Sequence, residues 1–288
     1  MNKSIKLALA GFLLFALISP IAAQPIVVPE DQEAWGQTWI LNLNGSQASY
    51  DNWSEGGVNT ISGTFSTVYT KLYRQDRTSF GFRVNLRYGQ SRIDGDTRKS
   101  DDLISIRSRV TYDLSDGSPV AAYGAVQFKT QFAEGYDYGA GPFGGDVLIS
   151  NFMAPGYFIE GAGIEYNASE HLQMAGGLAL KQTIVTDDAL LPVYNMDDNL
   201  RSEGGLSTGI TYQNTIAENI QYSSSLETFT NFLLPVDETD VNWTNEITGQ
   251  INSVVSASFQ FELRYDNDFS SEIQLKQVLS AGVTVNLY

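Results

Sequence analysis

After residue 35 the chain alternates apolar and polar residues almost to its end. In VVSASFQFELRYD (254–266), Val255, Ala257, Phe259, Phe261, Leu263 and Tyr265 interleave with Ser256, Ser258, Gln260, Glu262, Arg264 and Asp266. A period of two predicts an extended strand with one apolar face and one polar face. Twelve such segments can be read, at 35–49, 58–73, 78–89, 102–114, 120–132, 156–166, 171–181, 204–214, 219–232, 240–251, 254–266 and 272–288. No stretch among them carries a helical period.

The connections sort by parity. RQDR, SDGSP, NASE, TIAE and NS are tight, and they alternate with YDNWSEGG, RIDGDTRKSD, 133–155, 182–203, NFLLPVDET and NDFSS. Alternating short and long connections over an even strand count predict a closed, all-β, antiparallel transmembrane barrel. Its short turns would face the periplasm, its long loops the exterior, and both chain ends the turn side. A soluble all-β domain is the competing reading. It would turn the apolar parity inward and leave little to fill so wide an interior, whereas lipid outside solves that problem. Tyr69, Tyr73, Tyr88, Tyr112 and Tyr265 fall near predicted strand ends, where interfacial girdles sit.

Composition narrows the class. The 288 residues include no Cys and one His, and carry a formal charge of −16. A disulfide scaffold, a Cys-based zinc site and a lipidated Cys are excluded, and a general basic surface for nucleic acid is absent. Residues 1–23 read as a cleaved signal peptide: Lys3 and Lys6 precede the apolar core LALAGFLLFALI (7–18), and Ala23 is the best cleavage position. Residues 24–34 read as a flexible periplasmic leader and 35–288 as the barrel. No later run approaches the roughly 20 apolar residues of a spanning helix, so an exported chain of this kind crosses a membrane only as a barrel. The terminal strand ends on Tyr288, which falls on the polar parity with Asn286 and Thr284 rather than with Val283, Val285 and Leu287.

Several motifs occur in a fixed order: NWSEGG (52–57), DDL (101–103), TQFAEGYD (130–137), ISNFMAPGYFIEGAGIEY (149–166), ENIQYSSSLETFTNF (218–232), VNW (241–243) and LRYDND (263–268). Together they resemble a family of exported proteins widespread in Bacteroidota and known only as domain of unknown function 3078. The resemblance implies an outer-membrane location and supplies no catalytic residues. The partners it leaves are those of any such barrel: outer-membrane lipid and lipopolysaccharide, the barrel-assembly machinery, and a protein held by the outer loops.

Candidate chemistry lies on the polar parity. Arg83, Arg87, Arg107 and Arg109 form a basic wall, and Glu227, Glu246 and Glu262 an acidic one about half a turn away. Twelve strands about 4.8 Å apart and tilted about 40° make a ring roughly 25 Å across, leaving a gap on the order of 10 Å between the walls. The expectation is a transverse field across a narrow lumen that suits small zwitterionic or anionic solutes, with no direct pairing across it. A salt-bridged plug is the alternative. Asp187, Asp188, Asp197, Asp198 and Glu203 form an acidic loop set, a candidate cation site without EF-hand spacing. GYDYGAGPFGGD (135–146) would either constrict the lumen, dock a partner or form an outer loop. His171, in the turn NASEHLQ, lacks the neighbours of a catalytic base, and neither GxSxG nor HExxH occurs. The reading is non-enzymatic and without cofactor: passage or binding of small polar solutes, or envelope support. An outer-membrane enzyme is the runner-up.

Overall fold

Every predicted alternating segment forms a strand. The structure, a computed structural model, describes residues 26–29, 32, 34–49, 59–93 and 95–287. The strands are β1 Ala34–Ala48, β2 Thr60–Gln75, β3 Thr78–Ile93, β4 Asp96–Asp113, β5 Val120–Thr130, β6 Gly135–Asp137, β7 Val147–Ser150, β8 Gly156–Ser169, β9 Leu172–Ile184, β10 Leu200–Ala217, β11 Ile220–Asn231, β12 Asp240–Gln250, β13 Val255–Asp266 and β14 Ser270–Asn286. β6 and β7 pair only with each other; the other twelve close into one antiparallel barrel in which each strand neighbours the next and β14 returns to β1. The signal peptide and Tyr288 lie outside the described residues.

The tight turns gather at one end, the turn end. There Ala34 opens β1 opposite Arg74, and Asn286 closes β14 opposite Ile40. The long connections gather at the other, the loop end. Two stretches expected there as loops are ladder instead. β3 and β4 continue pairing through Arg92↔Thr97 and Ile93↔Asp96, with Gly95 at φ 100° in the turn, and β13 and β14 pair as far as Asp266↔Ser270. A continued ladder satisfies backbone groups that an irregular loop leaves to water.

The two strand faces have opposite fates. Leu43, Leu178, Leu275 and Leu279 point outward and are 62, 65, 62 and 82 % exposed. Asn42, Thr70, Arg107, Arg109, Glu165, Ser223 and Thr244 point inward and are buried. This inverts a water-soluble protein and is the distribution of a barrel whose outer belt meets lipid. On β13 Phe259, Phe261 and Leu263 lie on the outside, and Glu262 and Arg264 line the lumen. Rings pair along the belt, Trp35 with Tyr73 at 4.7 Å and Trp243 with Phe261 at 6.0 Å between centroids. Glu160 is an outward-facing exception, set between Val126 and Leu180.

Glycines shape the wall. Gly163 on β8 lies opposite Gly177 on β9, and a Cβ on either would strike the backbone of the facing strand. Two bare positions in register let the β8 and β9 backbones approach closely. The seam between β14 and β1 is short: five pairs join them, from Ile40↔Asn286 to Asn44↔Gly282, while fifteen join β1 to β2.

Apolar burial sits at the two ends. At the loop end Ala154, Val185, Leu190, Tyr194 and Met196 form a small core with Leu148, Leu191, Val193 and Phe269, tying the 131–155, 185–199 and 267–269 connections together over the mouth. Tyr194 donates to the carbonyl of Ile149 at 2.8 Å, and its burial together with nearby Tyr157 pushes its phenol pKa well up. At the turn end Ile26 enters the lumen. It is 4 % exposed and packs on the bare backbone of Gly81 beside Leu72. Ile40 and Val68, both lumen-facing and in register, are buried on the neighbouring strands.

Candidate functional site in the barrel lumen

β3, β4 and β5 place the basic wall. Arg83 lies directly opposite Arg107, and Arg107 opposite Gln127, so three adjacent strands present polar groups at one level. The four predicted arginines meet four different fates. Arg87 Nε lies 2.5 Å from Asp101, whose other oxygen takes Lys276 Nζ at 3.0 Å. Arg109 grips Glu165 through Nη2 at 2.5 Å and Nε at 3.1 Å, and its guanidinium lies over the Tyr123 ring at 3.9 Å. Arg107 reaches across the lumen. Arg83 donates from Nε to Thr70 Oγ1 at 3.3 Å and is in no ion pair with the described residues.

The acidic wall is split as well. Glu227 accepts both arms of Arg107, at 2.9 and 3.2 Å, in a bidentate pair. Their strands, β4 and β11, are five steps apart around a ring of twelve. This corrects the expected open gap: the two side chains span the lumen and meet. Glu262 pairs along its own strand with Arg264 at 2.9 Å. Glu246 accepts from Thr248 at 3.4 Å. The predicted walls are thus a set of braces, and only part of the basic wall is left facing open space.

Residues 46–136 match a family described as protein of unknown function (DUF3078). The chain is similar there to that family, over less than half its length. No curated protein matches it. Among solved structures, it is similar to the translocator domain of the autotransporter NalP from Neisseria meningitidis at 12 % identity, with 88 % of each chain covered and a TM-score of 0.37. An outer membrane channel from Pseudomonas putida F1 gives 10 % identity over 91 % of this chain and 99 % of that one, TM-score 0.38, and the KdgM porin 8 % over 86 and 97 %, TM-score 0.33.

The strongest charge cluster in the lumen escapes sequence reasoning. Near the loop end Lys181 Nζ sits 2.6 Å from Asp240, 2.9 Å from Asp268, 3.8 Å from Asp266 and 3.9 Å from Glu203. Arg201 adds contacts to Glu203 at 3.3 Å and Asp268 at 2.8 Å. The Asp240, Asp266 and Asp268 carboxylates converge as cation ligands do, but the ammonium of Lys181 stands among them. This knot ties β9, β10 and β12 to the β13–β14 turn. Polar alternation marks Lys181, Asp240 and Asp266 as inward-facing, whereas Arg201, Glu203 and Asp268 fall in stretches that read as loops, and nothing local says that they share a point.

The predicted acidic loop set does not converge. Asp187 caps the Asp188–Tyr194 turn by accepting from Ala189 N at 3.1 Å, Asp188 accepts from Asn199 at 2.8 Å, and Glu203 belongs to the lysine knot. Asp197 and Asp198 are exposed. Residues 135–146 form an outer hairpin rather than a constriction: Asp146 accepts from Gly139 N at 3.0 Å, and Tyr138 accepts from the Lys99 amide at 3.1 Å at the β4 rim. His171 is half-exposed at a turn, its Nε2 3.3 Å from Glu170.

Two cavities remain in the lumen. The one toward the loop end holds about 420 Å³, and a second, inner one of about 250 Å³ runs from Ile26 at the turn end along the β8–β11 side to the lysine knot. Arg107, Lys129 and Arg264 border both. The brace to Glu227 therefore stands between two chambers, with Ile26 lining the inner one.

Proposed function

We propose that this protein resides in the outer membrane, turns toward the periplasm, as a non-enzymatic barrel that holds small polar solutes in a closed lumen and allows their limited passage. Cleavage after residue 23, folding by the barrel-assembly machinery and contact with lipopolysaccharide through the outer loops belong to the same reading. The observation that carries it is the lumen: polar and charged throughout its middle, yet bridged by Arg107 and Glu227. An aqueous pore has no need of such a bridge, and a barrel serving only as an anchor has no need of chambers on either side of it.

The non-enzymatic part rests on the absence of a constellation among the described residues. A general base needs a positioned partner and a place for substrate. His171 is half-exposed at a turn beside Glu170 and the Tyr212 ring, and it lines neither large cavity of the lumen.

Conductance tests the reading. Protein purified from the outer-membrane fraction of expressing cells is placed in a planar bilayer across a salt gradient. Closed traces with rare brief steps are expected. A steady large conductance, or recovery in the soluble fraction, overturns it.

A further inference from the structure

The loop-end cavity is lined by six basic and four acidic side chains, in a chain whose overall charge is −16. Its acids are spent. Asp101 is shared by Arg87 and Lys276, Asp102 holds Lys99 and caps the Phe132 and Ala133 amides, Glu262 holds Arg264, and Asp266 faces Lys181. Two cations are left over. Neither Arg83 nor Lys129 is in an ion pair among the described residues. Lys129 sits on β5 and feels both Arg264 and Glu262 of β13 across the ring, with no carboxylate among the described residues at ion-pair distance. Unused donors surround them: Arg107 Nε, Gln260 Nε2 and Gln274 Nε2 are buried without a hydrogen-bond acceptor.

Cations held away from bulk water beside idle donors are the groups from which an anion site is built. We propose that Arg83 and Lys129 on one wall, with Arg107 Nε and the Gln260 and Gln274 amides, bind a small hydrophilic dianion in this cavity. Its class is set by the count and the lining. Two unpaired cations match two negative charges, the donors match oxyanion oxygens, and about 420 Å³ admits a dicarboxylate or a small phosphate monoester. The lining near Arg83 and Lys129 is polar, with Asn85, Ser105 and Gln127 alongside, which disfavours an alkyl tail. The inference rests on the closed, solute-holding lumen proposed above and names what it holds.

Isothermal titration of the detergent-purified protein with succinate and with inorganic phosphate, in about 0.15 M sodium chloride to screen weak surface binding, tests it. Saturable binding of at least one is expected, weakened at least about tenfold by Arg83→Gln and by Lys129→Gln. Lys129→Met gives a second readout. Removing a cation that is in no ion pair should leave the ligand-free barrel as resistant to urea or more so, whereas loss of a structural brace would lower its midpoint. No binding of either probe, full competition by chloride, tighter binding of laurate than succinate, or a lowered midpoint in Lys129→Met overturns the site. Conductance is unaffected by that failure: a closed barrel without dianion binding loses only this inference, and a freely conducting one loses the reading beneath it.

Discussion

At the scale of single residues, Gly81 and Ile26 act as one device. A side chain on Gly81 would occupy the space of Ile26, so the glycine is a socket for the leader. Because the chain has no Cys, a single reporter is clean. In Ile26→Cys, maleimide labelling should be slow, since the position is 4 % exposed. Adding Gly81→Leu should speed it by an order of magnitude or more by expelling the segment; equal rates would mean that the leader is not seated there. Arg109 and Glu165 make a second residue-scale case. Their side chains are 10 and 5 % exposed, so either one left alone is a buried charge. Glu165→Gln should cost about 3–5 kcal/mol in urea unfolding, and Arg109→Met with Glu165→Leu far less. An additive double variant would deny that the two act as a pair.

At the scale of elements, the β14–β1 seam is the shallowest join in the ring. Asn42 and Thr284 face each other across it, with a 2.8 Å hydrogen bond from Thr284 Oγ1 to Asn42 Oδ1. Extending that register would bring Ser46 opposite Ser280, but pairing stops at Asn44↔Gly282. Paired cysteines at 42 and 284 should therefore oxidise to a disulfide readily, and those at 46 and 280 poorly. Equal yields would show a seam zipped to the top. The strands themselves were legible because alternation is a local signal: Phe259 and Glu262 declare opposite faces without knowing their neighbours. Strand ends were less legible. RIDGDTRKSD carries turn and charge residues that read as loop, yet the ladder runs through most of it. The inward positions of Arg107 and Glu227 were equally clear from parity. Their contact was not, because it depends on the shape of the closed ring, which no single strand's sequence declares.

For the whole molecule, closure is distributed over three places: the loop-end core around Tyr194, the Arg107–Glu227 brace, and Ile26 at the turn end. Removing one should do little to conductance, because solutes must pass all three in series. Arg107→Ser with Glu227→Ser removes the brace as a pair and so leaves no orphaned charge. In that background the leader still occupies the inner chamber. Adding Gly81→Leu, whose larger side chain takes the place Ile26 vacates, should exchange one obstruction for another and keep traces quiet. Adding Ile26→Gly instead should give resolvable steps, the loop-end lid being held by loop contacts that can open on a microsecond-to-millisecond scale. The comparison isolates the stopper from the brace. If the brace variant alone conducts as freely as the combined one, the leader contributes nothing to closure. If neither conducts, the loop-end core is the gate, and the chamber it covers is reached only when that core comes apart.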